Sequence, residues 1–158
     1  MKTLARPMTA IIAVVIAFSG LVAGAPARLP LAAAAEGNAV TDWSLIAQNA
    51  WSVGRPGTSG MYVAALVHAA IYDAVVAIDG GGEPFISSPT GDGANPDAAV
   101  AAAARDILVA RVPSQAGSVQ DQYTAYLAAI QDGPAKANGT AAGPAAAAAV
   151  LANREGDG

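Results

Sequence analysis

Residues 66–78 read LVHAAIYDAVVAI, an apolar run that contains His68, the only histidine among the 158 residues. A segment rich in glycine and proline, GRPGTSG, precedes this run, and a second one, DGGGEPFISSPTGDGANP, follows it. Because such segments end helices, the pattern predicts a helix from about Ser59 to Ile78. On that helix His68 shares one face with mostly apolar neighbours: Ala64, Ala65, Ile71, Tyr72 and Val75.

A second helix is predicted upstream, in the segment NAVTDWSLIAQNAW at residues 38–51. Thr41 is the expected N-cap, and Asp42 follows it in the first turn. The predicted buried stripe, with spacings of about three and four residues, consists of Val40, Trp43, Ala47, Ala50 and Gly54.

The second half of the chain predicts three more helices. DAAVAAAARDILVARV, residues 97–112, follows Asn95 as N-cap and Pro96 at the first helical position. A fourth helix is expected from about Ser118 to Ile130. The fifth segment, AKANGTAAGPAAAAAVLANR, carries Pro144 in its interior. Since an internal proline costs a helix ~3 kcal/mol, we expect a kink there or two short helices.

The composition fits an all-α protein, a bundle of about five alanine-rich helices spanning residues 36–158. Hydrophobic residues make up 54% of the chain, but only two Phe and two Trp are among them. Such a core favours closely approaching helices over large interlocking rings. The net charge of −4 argues against a nucleic-acid partner, and the absence of cysteine excludes disulfides and thiolate metal sites.

Residues 1–35 have the features of a signal peptide followed by a short linker. Lys2 and Arg6 precede the uncharged run TAIIAVVIAFSGLVAGA, and small residues suitable for cleavage follow at Ala27 and in the stretch 32–35. A single membrane anchor is the competing interpretation, but the run is shorter than the ~20 residues that span a bilayer comfortably. We therefore expect a secreted, extracellular protein without stable membrane insertion after cleavage.

Two polar residues of the 66–78 run are candidate site residues, and we expect both to be structural. A single imidazole makes a weak metal site, so His68 is expected to bond a backbone carbonyl or a tyrosine. Asp73 lies about 140° around the helix from His68, so the two cannot form an acid–base pair within that helix. A buried carboxylate needs a donor, and a helix terminus, Arg55 or Arg105 is expected to supply it.

The order of these segments resembles the N-terminal helical half of secreted bacterial vanadium-dependent haloperoxidase-like proteins of the type 2 phosphatidic acid phosphatase superfamily. The resemblance runs from about Asn38 to Gly158, and its most specific stretch is VHAAIYDAV. It implies the first half of a larger helical fold whose active site binds vanadate, or phosphate in the phosphatase relatives. In that family the catalytic motifs have the forms K-x6-R-P, P-S-G-H and S-R-x5-H.

None of these three motifs occurs in this chain. Arg55-Pro56 would need a lysine at position 48 but is preceded there by Gln48, and PSQA at Pro113 lacks the Gly-His pair. We therefore expect no catalytic, cofactor-binding or metal-binding residue here, and vanadate only in a full-length parent. The expected partner is the missing C-terminal catalytic half or another helical surface, which includes a homo-oligomer. The alternative function is a self-sufficient secreted helical module that binds a partner.

A chain of this kind is expected to lack haloperoxidase and phosphatase activity. Removal of the signal peptide after Ala27 leaves six basic and twelve acidic residues. The basic residues are spread along the sequence: Arg28, Arg55, Arg105, Arg111, Lys136 and Arg154. Because oxyanion binding requires convergent cations, this spread predicts no vanadate or phosphate site.

Overall fold

The computed structural model describes residues 38–55 and 57–156, and this part of the chain is helical with no strand. Five α-helices follow in order: α1 (Ala39–Gly54), α2 (Thr58–Asp79), α3 (Pro96–Arg111), α4 (Ala116–Ala128) and α5 (Pro134–Asn153). A 3-10 turn, Pro113–Gln115, joins α3 to α4. The predicted all-α bundle of about five helices is confirmed. The predicted signal peptide lies outside the described residues.

Asparagine side chains begin two of the helices. Oδ1 of Asn95 accepts the Ala98 N–H at 2.8 Å, which confirms the predicted start of α3. At α1 the predicted cap was wrong, because Oδ1 of Asn38 accepts the Thr41 N–H at 3.0 Å. Asn38 precedes that N–H by three residues, the spacing that an N-cap requires. Thr41 therefore lies inside the first turn.

The other helix ends are close to the predicted ones. Helix α2 extends one residue further at each end than predicted, and Gly80 ends it in the left-handed conformation with a φ of 66°. Glycine takes this conformation without the steric cost that a Cβ imposes. Helix α4 begins and ends two residues earlier than predicted, because the 3-10 turn leads directly into it.

Helix α3 occupies the centre of the bundle and contacts the other four helices. Seven consecutive residues, 98–104, are buried, and all are alanine except Val100. The larger side chains Ile107 and Leu108 are buried in the next turn. A helix with such small side chains on all sides can be approached closely by several neighbours at once. The structure thus has the alanine-lined core that the composition predicted.

The closest of these approaches is between α3 and α5. A Cβ on Gly139 would lie 2.4 Å from the carbonyl oxygen of Asn95, and one on Gly143 would lie 2.3 Å from that of Ala99. Real Cβ atoms do not come so near to backbone atoms, so both positions require glycine. We call this contact the α3–α5 seam.

Of the two outcomes expected at Pro144, a kink or two short helices, the second was wrong, because α5 is continuous through this residue. Pro144 directly follows Gly143 of the seam. The buried residues of α5 on both sides of the proline, Gly139 to Val150, contribute to the same core. Packing along α3 therefore holds the two parts of α5 together despite the backbone hydrogen bond that the proline lacks.

Aromatic rings fill the core where α1 meets α4. Trp43 is fully buried and makes edge-on contacts with Tyr123 and Tyr126, with ring centroids 6.2 and 5.9 Å apart. Trp43, Ala47 and Ala50 of the predicted stripe are buried. Ala39 and Ile46 are buried as well, whereas Val40 and Gly54 are only half-buried. The stripe was thus correct at its centre and wrong at both ends.

Candidate functional site

An open, mostly apolar cavity of about 800 Å³ lies along the outer side of α2. We call it the α2 groove. Its wall on α2 extends from Tyr62 to Val75, a separation of thirteen positions that measures about 20 Å along a helix. The loop after α2 contributes Phe85 and Ile86, and the end of α5 contributes Val150 and Arg154. Cavities of this size are ordinary for binding sites, and their walls are typically apolar.

Helix α2 has two apolar faces, of which the bundle covers one. The buried face consists of Gly60, Val63, Leu66, Val67, Ala70, Ile71, Asp73 and Ala74. On the other face Met61, Tyr62 and Tyr72 are 74%, 38% and 46% exposed. Exposed apolar side chains in a group are a feature of interaction surfaces.

His68 lies on the exposed face and lines the α2 groove. The sequence predicted its neighbours correctly, since Ala65, Tyr72 and Val75 line the same groove. Its expected role as a buried, hydrogen-bonded residue was wrong, because the side chain is exposed and no other helix of the described part of the chain covers it. The imidazole instead lines the groove, as does the side chain of Arg154.

Asp73 is the one fully buried charged side chain among the described residues, with 0% of its surface exposed. Its carboxylate accepts three backbone N–H groups from the loop after α2. The N–H of Phe85 lies 2.6 Å from Oδ1, and those of Ile86 and Ser87 both lie 2.9 Å from Oδ2. The expected partners, an arginine or a helix terminus, were therefore wrong. Consecutive loop amides neutralise this charge by direct hydrogen bonds.

The Asp73 contacts hold the loop against α2 and so build one wall of the groove. Tyr72 adds a hydrogen bond from its hydroxyl to the carbonyl oxygen of Glu83, at 3.0 Å. Further along the loop, a Cβ on Gly91 would lie 2.4 Å from the carbonyl oxygen of Ala77. The loop is thus attached to α2 at three places, while Phe85 remains 63% exposed at the groove.

Two of the basic side chains pair with carboxylates elsewhere. Nε of Arg105 lies 2.9 Å from Oδ1 of Asp106, and its guanidinium stacks 4.5 Å from the ring centre of Tyr123. Burial raises the pKa of Asp106, and the charge of Arg105 opposes this rise. Lys136 donates a hydrogen bond to Asp132 at 2.8 Å, which together with the positive charge lowers the pKa of that carboxyl.

Two other arginines converge on a second, smaller cavity. Arg55 follows the end of α1 and Arg111 ends α3, and both line a space of about 380 Å³ together with Ser114 of the 3-10 turn. The expectation that the basic residues form no oxyanion site stays a prediction. The two residues are 56 positions apart in the sequence, and the packing of α1 against α3 brings them to the same cavity.

Within residues 38–55 and 57–156 no group of three His, Asp or Glu side chains is placed to hold a metal ion. Helix α2 is long and apolar enough to cross a membrane, with a mean hydropathy of 1.8 in its most apolar window. Length and composition alone support this, and the same properties occur in core helices such as α2, which packs on α1, α3 and α5. Neither observation assigns a catalytic role.

Comparison of the chain with protein families, with curated proteins and with solved structures finds no match. The resemblance to vanadium-dependent haloperoxidases therefore stays a prediction.

The sequence reasoning missed the groove residues outside α2. Phe85 and Ile86 lie in the segment that was interpreted only as the end of the α2 helix, although two large apolar residues in a loop of glycine and proline are a signal of contact with another surface. The second signal of this contact was Asp73, which has no side-chain hydrogen-bond donor three or four residues away in the sequence of α2. A carboxylate in an apolar helix and an apolar pair in the following polar loop point to each other, because the loop amides can satisfy the carboxylate.

Proposed function

We propose that residues 36–158 are the helical scaffold of a secreted protein and that the α2 groove is the surface on which a second helical body packs. In line with the sequence resemblance, that body is the catalytic half of a vanadium-dependent haloperoxidase or a related acid phosphatase. In this proposal the scaffold supplies no catalytic side chain. Its contribution is a preformed apolar surface that holds the other half in place.

The observation that carries the proposal is the uncovered apolar face of α2. Tyr62, Tyr72 and Phe85 are exposed around a cavity of about 800 Å³. Ala65 and Ala69 lie between the two tyrosines, so a helix can approach the backbone of α2 closely at this point. Large neighbours flanking small residues form the kind of groove into which an apolar helix face packs.

A second candidate is a self-sufficient binding module, and the complete core favours it. Helix α3 is covered on all sides by the described helices, and the Asp73 carboxylate is satisfied within the chain. The second proposal therefore takes this domain to fold without another half. In this second proposal the α2 groove binds a helix of a separate protein or of a second copy of this chain.

The DNA downstream of the codon for Gly158 distinguishes the two candidates. A reading frame that continues with the Lys-Arg, Ser-Gly-His and Arg-His motifs supports the scaffold proposal. The same holds if a single frameshift separates that frame from the present one. A stop codon followed by unrelated sequence contradicts the scaffold proposal and favours the binding module.

The groove itself is tested by a charge placed in its floor. Ala65 is exposed and lines the groove, so Ala65→Glu removes no core contact but puts a carboxylate where an apolar helix would lie. The matched control is Ala125→Glu, at an exposed alanine of α4 outside the groove. Association with the downstream half, produced as a separate chain, or self-association measured by sedimentation, should weaken at least about tenfold in the first variant only. Equal effects of both variants would exclude the groove as the contact surface.

A further inference from the structure

The residues of the α2 groove are arranged symmetrically about the level of Val67. Tyr62 and Tyr72 lie five positions before and after Val67, and Ala65 and Ala69 lie two positions before and after it. All four side chains line the groove. Since equal numbers of positions mean equal distances along a helix, the groove has a large residue towards each end and a small one on each side of its centre.

A surface with this symmetry is complementary to a second copy of itself turned end to end. In an antiparallel pair of α2 helices with a twofold axis at the level of Val67, Ala65 of one copy lies at the level of Ala69 of the other. Small side chains at this point allow the two backbones to approach closely. Tyr62 of one copy lies at the level of Tyr72 of the other, so aromatic rings close the contact at both ends. Twofold pairs are the commonest oligomers and place one patch against the same patch.

Contacts at the helix ends show which way each helix runs in the bundle. The N–H of Asn95 donates to the carbonyl oxygen of Ala135 at 2.8 Å, so α3 and α5 begin side by side. A Cβ on Gly54 would overlap Val112, so α1 and α3 end side by side. Gly91, shortly before α3, packs on the last turns of α2. One end of the bundle therefore holds the ends of α1, α3 and α5, and the other end holds the end of α2.

These two ends of the bundle carry opposite charges. Three arginines lie where α1, α3 and α5 end: Arg55, Arg111 and Arg154. Five carboxylates lie at the other end, in the first turns of α1 and α3, the last turn of α2 and the loop after it: Asp42, Asp79, Glu83, Asp92 and Asp97. Glu155 beside Arg154, and Lys136 paired with Asp132, depart from this pattern. In an antiparallel pair the basic end of each copy meets the acidic end of the other, whereas a parallel pair brings like charges together.

Two of these charges flank α2 itself at equal distances from its centre. Arg55 lies twelve positions before Val67, and Asp79 lies twelve positions after it. Both residues are exposed. An antiparallel pair of α2 helices therefore has Arg55 of each copy at the end where Asp79 of the other copy lies. The charges thus favour the same arrangement as the sizes of the groove residues.

We propose that α2 of a second copy of this chain occupies the α2 groove, antiparallel and related by a twofold axis at the level of Val67. This inference rests on the proposed function of the groove as a packing surface and names its occupant. Four large side chains on this face and its loop are between 38% and 74% exposed: Met61, Tyr62, Tyr72 and Phe85. At about 200 Å² for each such side chain, they offer at most roughly 900 Å² in a pair, close to the ~1,000 Å² that a specific interface needs. The dimer should therefore be weak and dependent on concentration.

Sedimentation of the purified chain over a range of concentrations tests the pairing. We expect a reversible equilibrium between monomer and dimer with no larger species, because a twofold contact uses the same patch on both copies and is closed. A chain that stays monomeric up to about 1 mM overturns the proposal. A series of larger species would indicate a head-to-tail contact and also contradict it.

Introduced cysteines report the register of the pair, since the chain has no cysteine of its own. A mixture of Ala65→Cys and Ala69→Cys should form a disulfide between the two variants under mild oxidation, because closely packed helices bring Cα atoms within the ~7 Å that a disulfide spans. Each variant alone should cross-link much less, since equal positions are displaced by about 6 Å along the axis. Ala125→Cys, at an exposed position of α4, is the control for random collision. Stronger cross-linking of each variant alone than of the mixture contradicts the antiparallel arrangement.

A charge exchange tests the contacts at the two ends of α2. Arg55→Asp and Asp79→Arg should each weaken the dimer about fivefold, because each places like charges together at both ends of a twofold pair. Both residues are exposed, so the fold should be unaffected. The double variant restores opposite charges and should dimerise within about twofold of the original. A double variant that associates no more tightly than the single ones contradicts the proposed register.

The outcomes separate this inference from the proposed function of the groove. A monomeric chain that still binds the downstream half, and loses that binding in Ala65→Glu, overturns the second copy as the occupant and leaves the proposed function in place. A dimer that Ala65→Glu does not weaken, and that cross-links through Ala125→Cys, contradicts both. A dimer that dissociates in Ala65→Glu but not in Ala125→Glu supports both.

Discussion

The α3–α5 seam and the α2 groove are both apolar in sequence, but only the seam is closed. In the seam, Gly143 lies so close to α3 that even a Cβ would overlap the Ala99 carbonyl. In the groove, large side chains such as Tyr72 and Phe85 extend from α2 and its loop, and a cavity of about 800 Å³ stays open beside them. The comparison teaches that glycine and alanine allow a backbone approach close enough to exclude solvent, whereas the larger side chains at the groove leave a space beside the helix.

The largest effect is expected from a side chain introduced into the seam. Gly143→Ala should lower the free energy of unfolding by about 3 kcal/mol, because the new Cβ would overlap the backbone of α3 and force the helices apart. The matched control is Gly117→Ala on α4, where nothing lies within 4 Å of the added Cβ. That change should stabilise the protein by about 0.5 kcal/mol through helix propensity. Urea unfolding measures both, and similar values for the two variants would contradict the close approach.

The next largest effect is expected where the groove wall is attached to α2. Asp73→Ala leaves three loop N–H groups without their acceptor, and we expect a loss of about 2 kcal/mol because the released loop can bind water instead. Hydrogen exchange at residues 85–87 should become faster. Asp79→Ala, which removes an exposed carboxylate from the end of the same helix, should leave both quantities nearly unchanged. Unchanged exchange at residues 85–87 in Asp73→Ala would disprove the attachment.

A smaller, pH-dependent effect should mark the aromatic part of the closed core. Burial, with added repulsion from Asp97 and Asp42, raises the pKa of Tyr126 to about 12. The folded state therefore holds its proton at pH values where the unfolded chain, with an ordinary pKa of ~10, loses it. The contribution of Tyr126 to the free energy of unfolding is therefore fully present below pH ~10. It decreases as the pH rises toward 12.

Tyr126→Phe should make that alkaline decrease shallower. The measurement is urea unfolding of both proteins at several pH values between 9 and 11.5, with the phenolate absorbance recorded in parallel. Near neutral pH, the variant keeps the edge-on ring contact with Trp43 and should differ little from the original. The same alkaline slope in both proteins would show that Tyr126 is not buried as described.

The smallest effect is expected at His68. Because the imidazole is exposed in the groove, His68→Gln should change the free energy of unfolding by less than about 0.5 kcal/mol. A histidine with the buried hydrogen bond that the sequence led us to expect would instead lose about 1 kcal/mol on this substitution. Thermal unfolding separates the two values, and a loss of the larger size would mean that this face of α2 is covered in solution.

Sequence patterns were most accurate where the determining contact lies within one helix turn. Asn95 and Pro96 marked the start of α3, since a cap and its N–H are three residues apart. Gly80 marked the end of α2 for the same local reason. The wrong cap at α1 is instructive, because Asn38 and Thr41 both carry suitable oxygens and only the backbone geometry chose between them.

The sequence by itself determined the number of helices, their approximate ends and an alanine-lined core, because helix periodicity and end signals are local. Tertiary structure alone decided that α5 continues through Pro144, that loop amides satisfy Asp73 and that Arg55 and Arg111 line one cavity. It also decided which face of α2 stays open. Each of these outcomes depends on a contact between residues far apart in the chain, and the helical period shows which residues share a face but not which other helix covers it.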